Sequence, residues 1–149
     1  MSPAELIKHD HWASVTGEAE GGPYFVRYRE PLLEPPDVKA YPRCLRVVWA
    51  YDDPGSGSLP ADQDSDRMRV FEDRLCTAWE DDAVAVLTGV LTFDGARQWV
   101  FYTANVQECA ARLNSMPQEQ DRYPIELDVF DDVEWEYLRN EIVGDGAPA

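Results

Sequence analysis

The sequence predicts a single α+β domain, in which helices pack on an antiparallel sheet. Three observations carry this. Short runs alternate apolar and polar residues with the two-residue period of a strand. Two longer runs switch to the three- and four-residue steps of an amphipathic helix. From Cys44 onward these runs follow one another as strand, helix, strand, strand, helix, strand. At 149 residues the chain is long enough to bury one core, and neither a repeat nor a linker marks a second domain. The predicted domain spans residues 12–142, after a mobile N-terminal segment at 1–11 and before a disordered tail at 143–149.

The elements follow in order. Residues 12–20 and 23–30 read as two strands joined through "EGG", where glycines supply the positive φ of a tight turn. In the second, Tyr24, Val26 and Tyr28 share one face, opposite Arg27 and Arg29. The prolines of "EPLLEPPDVKAYP" break regular structure and predict a loop. "RCLRVVWAYD" is a strand with Leu45, Val47, Trp49 and Tyr51 on one face, ended by "DPGSGS". Over 60–82 the recurrence of Met68, Phe71, Leu75 and Trp79 predicts a helix. "AVAVLTGVLTF" is apolar on both faces, hence a central strand, and "DGARQ" turns it into "QWVFYTA". Asn105 caps a second helix with a stripe of Val106, Cys109, Ala110 and Leu113. "IELDVF" is a strand with Ile125, Leu127 and Val129 inward, and a short helix over 132–142 ends the domain. The order matches the split βαβ pattern, so the expected fold is a ferredoxin-like β-α-β-β-α-β sandwich with an added N-terminal β-hairpin and a short C-terminal helix.

The segments "FEDRL" at Phe71, "LTFDGARQWVFYT" at Leu91, "YPIEL" at Tyr123 and "DDVEW" at Asp131 carry a family likeness. In order and spacing they resemble the bacterial family of domain of unknown function 695. Its most specific marks are Arg97, Trp99, Phe101 and Tyr102, with the Tyr-Pro step before the last strand. The resemblance implies no reaction and brings no catalytic residues. It does imply kinship with the ribonuclease E inhibitor B type of domain, an acidic ferredoxin-like protein that binds a nuclease without chemistry of its own.

Charge narrows the classes of partner. Thirteen basic residues against 29 acidic ones leave −16 at neutral pH. Such a surface repels phosphate backbones and anionic membranes, and it steers basic proteins toward itself. Direct nucleic-acid binding and membrane association are therefore not expected. Cys44, Cys76 and Cys109 are odd in number and widely spaced, which reads as buried free thiols in a reducing compartment. Neither a signal peptide nor a bilayer-spanning run is visible, so the expected location is the cytoplasm.

Candidate chemistry resolves mostly to structure. Asp62, Asp64 and Asp66 alternate like calcium ligands, with Asp73 at the twelfth position of such a loop. Arg67 replaces the required glycine, Val70 offers no oxygen, and the helical stripe already runs through Met68 and Phe71. The three acids read instead as a helix entrance facing the positive end of the dipole. His9 and His11 cannot be placed near any thiol or hydroxyl, so no nucleophile-base pair emerges. Catalytic residues, metal and cofactor are all expected to be absent, and the reading leans away from an enzyme.

The leading expectation is a non-enzymatic acidic module that inhibits or regulates a basic protein, a nuclease or toxin. Its candidate contacts are the acids Asp62, Asp64 and Asp66 together with Arg27, Arg29, Arg97, Trp99 and Tyr102. The alternative is an enzyme or a binder of a small anion, using an open sheet face around Arg97, Trp99 and Tyr102. A third reading, a structural oligomer subunit, requires an apolar sheet face buried against its own copy. On the helix-entrance reading, a calorimetric titration with calcium is expected to show no binding at micromolar concentration.

Overall fold

The computed structural model describes residues 2–19, 22–33, 37–51, 60, 62–116 and 123–143. The strands are β1 (His11–Ala19), β2 (Gly22–Glu30), β3 (Arg43–Ala50), β4 (Ala85–Phe93), β5 (Ala96–Thr103) and β6 (Ile125–Asp131). Three α-helices accompany them: α1 (Pro3–His9), α2 (Asp62–Glu80) and α3 (Val106–Ser115). A π-helical segment, α4 (Leu138–Val143), ends the described chain. The strands form one open antiparallel sheet in the order β1-β2-β4-β5-β3-β6. Of the predicted turns and tail, residues 20–21, 53–58 and 144–149 lie outside the described residues, whereas Gly22 opens β2 and Val143, expected in the disordered tail, closes the π-helical segment.

Local chemistry explains most of the element boundaries. At the β4–β5 turn, Asp94 and Gly95 both take positive φ, 50° and 83°, the conformation a tight hairpin requires. Asn105 accepts a hydrogen bond from the Glu108 amide and caps α3. β2 pairs with β4, so the N-terminal hairpin widens the sheet. α1 lies where the sequence reading placed a mobile segment. Ser2 and Glu5 close a reciprocal capping box around its first turn, Pro3 follows the cap, and Leu6 is buried.

Both sheet faces are covered, which the sequence reading did not expect. On one face α2 and α3 bury Trp49, Phe71, Trp79, Trp99 and Phe101. On the other, α1 and α4 cover Tyr24, Val86, Val100, Tyr102 and Trp135. The reason lies in β4, whose residues from Ala85 to Thr92 are buried on both sides and demand cover on both. Gly89 lets α4 approach, since a methyl there would stand 2.8 Å from Ile142 and 3.2 Å from Leu138. β6 departs in one detail. Leu127, expected inward, is 42% exposed, because β6 is an edge strand reached by little of either helical layer.

The tie between hairpin, helix and sheet is ionic. Arg29 on β2 is only 6% exposed, and its guanidinium donates to both carboxylate oxygens of Glu80 on α2, at 2.6 and 3.2 Å. The same group donates to the Leu87 carbonyl and to Asp10, while the Leu87 amide donates to Glu80. Trp12 lies against Arg29, 4.8 Å from guanidinium carbon to ring centre. Removing one member of a buried pair strands the other charge, which costs about 3–5 kcal/mol. Glu80→Gln is therefore expected to lower the unfolding free energy from urea titration by about that amount. Joint replacement by Arg29→Met and Glu80→Leu is expected to recover much of the loss.

Candidate functional site

The residues singled out from sequence do not gather at one place. Trp99 is buried on the α2 face, where its ring meets Phe71 at 5.2 Å and its indole N–H donates to Glu72 at 2.8 Å. Tyr102 points to the opposite face. It stacks on Trp135 at 4.4 Å, donates its hydroxyl to Asp132 and accepts from the Leu138 amide. An open sheet face uniting Arg97, Trp99 and Tyr102 is therefore not what the fold presents. Among the helix-entrance acids, Asp62 and Asp66 are exposed and Asp64 is half-buried. All three lie in the first turns of α2, so the stretch is helix rather than an ion-binding loop. Among the described residues no group of three or more His, Cys, Asp or Glu could hold a metal ion.

The arginines do form a pattern. Arg27 and Arg29 alternate with Tyr28 on β2 and face α2, where Glu72, Cys76 and Glu80 recur every fourth residue on one side. Glu72 pairs with Arg27 at 2.5 Å, and Glu80 pairs with Arg29. Arg97 stands on the same face of the sheet. Its Nε donates to the Thr92 hydroxyl at 2.7 Å, and among the described residues no carboxylate pairs with it. Burial, followed by the neighbouring Arg27 charge, holds its pKa below the usual arginine value, and Glu72 opposes the shift.

At the other end of the sheet, a cleft of about 270 Å3 opens beside the edge strand. Phe130 and Tyr137 meet edge to face at 5.5 Å, and Asp131, Asp132, Glu136 and Glu141 line the opening. Asp132 is committed to structure, since its carboxylate also accepts from the Glu136 and Tyr137 amides. Asp131 pairs with Arg43, and Asp128 on the same strand with Arg46. Among the described residues no cation pairs with Glu136 or Glu141. The sequence reading missed this cleft. Its signal was the run "FDDVEWEY", where aromatic and acidic residues interleave.

A family model for a family of unknown function, DUF695, matches residues 10–140. The chain belongs to the DUF695 family. No curated protein and no solved structure matches it. In this DUF695 member the residues that carry the family likeness chiefly build the core. Phe71 lies 4.8 Å from Tyr123 and 5.7 Å from Trp49. Trp99, Phe101 and Tyr102 fill both faces of β5, and Trp135 fastens the C-terminal segment by donating to the Tyr41 carbonyl.

The three thiols of this DUF695 chain are poor nucleophiles. Burial raises all three pKa values, that of Cys44 to about 12, and Glu80 and Glu72 push Cys76 further in the same direction. A raised folded-state value stabilises the fold below the unfolded pKa and loses that contribution as pH climbs through the folded one. For Cys44 the window runs from its ordinary value of 9.0 to about 12. The native protein is thus expected to react slowly with a thiol-directed disulfide reagent at neutral pH, at the rate of global opening. Its unfolding free energy is expected to decline from pH 9 upward, less steeply in Cys44→Ala.

Proposed function

We propose that this chain is a ferredoxin-like, non-enzymatic acidic module of the bacterial cytoplasm that inhibits or regulates a basic protein, a nuclease or toxin. The observation that carries the reading is the acidic cleft beside β6. Arg46 already lies 5.0 Å from the Tyr137 ring centre, which shows that this wall accepts a guanidinium. Phe130 beside it suits the stem of a lysine, and Glu136 and Glu141 supply carboxylates that no cation pairs with among the described residues. The neighbouring edge is acidic too, with Glu126 and Asp128 exposed beside Leu127. Val133 is 48% exposed close by, so the acids frame a small apolar contact.

Charge makes such an edge selective. A strand edge presents unpaired backbone groups, and a like-charged copy approaching it is repelled, whereas a basic partner is drawn in. The net charge of −16 extends that attraction over the whole surface. The strand order β6-β3-β5-β4, with α2 and α3 on one face, supports the ferredoxin-like reading. The resemblance to the ribonuclease E inhibitor B type of domain points the same way.

The test is affinity capture from the source cell at low and high salt, with wild type and with Glu136→Lys/Glu141→Lys. Both glutamates are exposed, so the reversals leave the core untouched. A basic protein is expected to bind wild type, to elute as salt rises, and to be lost with the charge reversal. Recovery of no partner, or of one indifferent to salt and to both substitutions, counts against the reading.

A further inference from the structure

Arg97 lines a second cleft, far from the acidic one. β3 separates them along its length: Trp49 pairs with Arg97 at one end, and Arg43 pairs with Asp131 at the other. The floor is a row of residues standing opposite one another across four strands, Thr16, Phe25, Thr92 and Arg97. Ser65, from the first turns of α2, lines the other side. The open cleft has a volume of about 470 Å3, within the range that takes a small organic molecule.

The α2 side chains explain why this end is different. Glu72 and Glu80 each answer an arginine of β2, and they are spaced by two helical turns. Two turns before Glu72 the same helix face presents Ser65 instead of a carboxylate. Arg97, on the same side of the sheet, therefore meets no carboxylate from α2, and Thr92 takes one of its donors. Arg27 and Glu72 neutralise each other, which leaves Arg97 as the cation lining the cleft that no carboxylate pairs with among the described residues.

We propose that this cleft binds a small carboxylic acid with an apolar body, its carboxylate held by Arg97 and its body lying on Phe25. A guanidinium offers two parallel donors to a carboxylate, the hydroxyls of Thr92 and Ser65 complete a polar end, and Pro23, Tyr24, Phe25 and Pro60 give the cleft its apolar part. One cation without a carboxylate partner among the described residues suits a monoanion. A dianion such as a phosphate monoester would bring a second charge toward Glu18 at the rim and the acids that open α2.

The test is an NMR titration of the full chain with benzoate and hexanoate, against uncharged benzyl alcohol and doubly charged phenylphosphonate. Both carboxylates are expected to bind saturably in the millimolar range and to shift the Thr92 amide and the Arg97 Nε–H signal. Arg97→Met is expected to weaken benzoate about tenfold or more. Ser65→Glu supplies the missing carboxylate, so it is expected to abolish binding while leaving the fold intact. That variant decides the matter should Arg97→Met fail to fold. The proposal is overturned if no carboxylate binds saturably, if benzyl alcohol binds as well as benzoate, or if phenylphosphonate binds more tightly. Unchanged binding in Ser65→Glu or in folded Arg97→Met overturns it equally.

Discussion

Burying the Arg29 guanidinium between the sheet and α2 constrains every element around it. A charge held away from water needs a counter-charge and partners for its N–H groups. Glu80 answers the charge, the Leu87 carbonyl takes one donor, and Asp10 closes the rim. Those partners come from α2, β4 and the corner joining α1 to β1. The pair therefore fixes how α2 lies on the sheet and where the N-terminal hairpin docks. Arg27 and Glu72 repeat the arrangement two helical turns earlier, nearer the solvent. Together they set the register of a helix that buries Met68, Phe71, Leu75 and Trp79. The apolar stripe supplies the attraction, and the ion pairs choose among its possible alignments.

Much of this was legible in the chain because it is encoded locally. The period of Met68, Phe71, Leu75 and Trp79 announces α2, Asp94-Gly95 announces a hairpin, and Asn105 announces a cap. α1 was missed although its signal is just as local, since Ser2, Pro3 and Glu5 spell out a capping box. What sequence could not give was pairing at a distance. Arg27 meets Glu72 across 45 positions, and Arg29 meets Glu80 across 51. The roles of Trp99 and Tyr102 were hidden for a related reason. Strand alternation separates them onto two faces, but it does not say that α4 will cover the second. The acidic cleft escaped because its walls, Phe130 and Tyr137, meet only after the chain has turned at Asp132.

Opposite signs of charge are sorted to opposite ends of the sheet. Beside the edge strand Glu136 and Glu141 pair with no cation among the described residues, while at the far end Arg97 pairs with no described carboxylate. A protein of net charge −16 can maintain such an arrangement only by enclosing its cations. In open solvent, surrounding acids would capture or screen Arg97. The half-buried cleft is what preserves it.

The strand order also governs the sequence of events by which the chain assembles. β3 lies between β5 and β6, and Arg43 on β3 stands opposite Thr103 on one side and Asp131 on the other. Both neighbours arrive long after β3 itself, so it cannot find a partner as it emerges. The hairpins β1–β2 and β4–β5 need only local closure and can form early. Joining them through β3 closes long loops, the slow step in topologies rich in distant contacts. Until then the apolar face of β3, with Leu45, Val47 and Trp49, is uncovered. The vulnerable interval of this protein is therefore its synthesis, and the strand most exposed to misassociation then is the one that ends up among the most deeply buried.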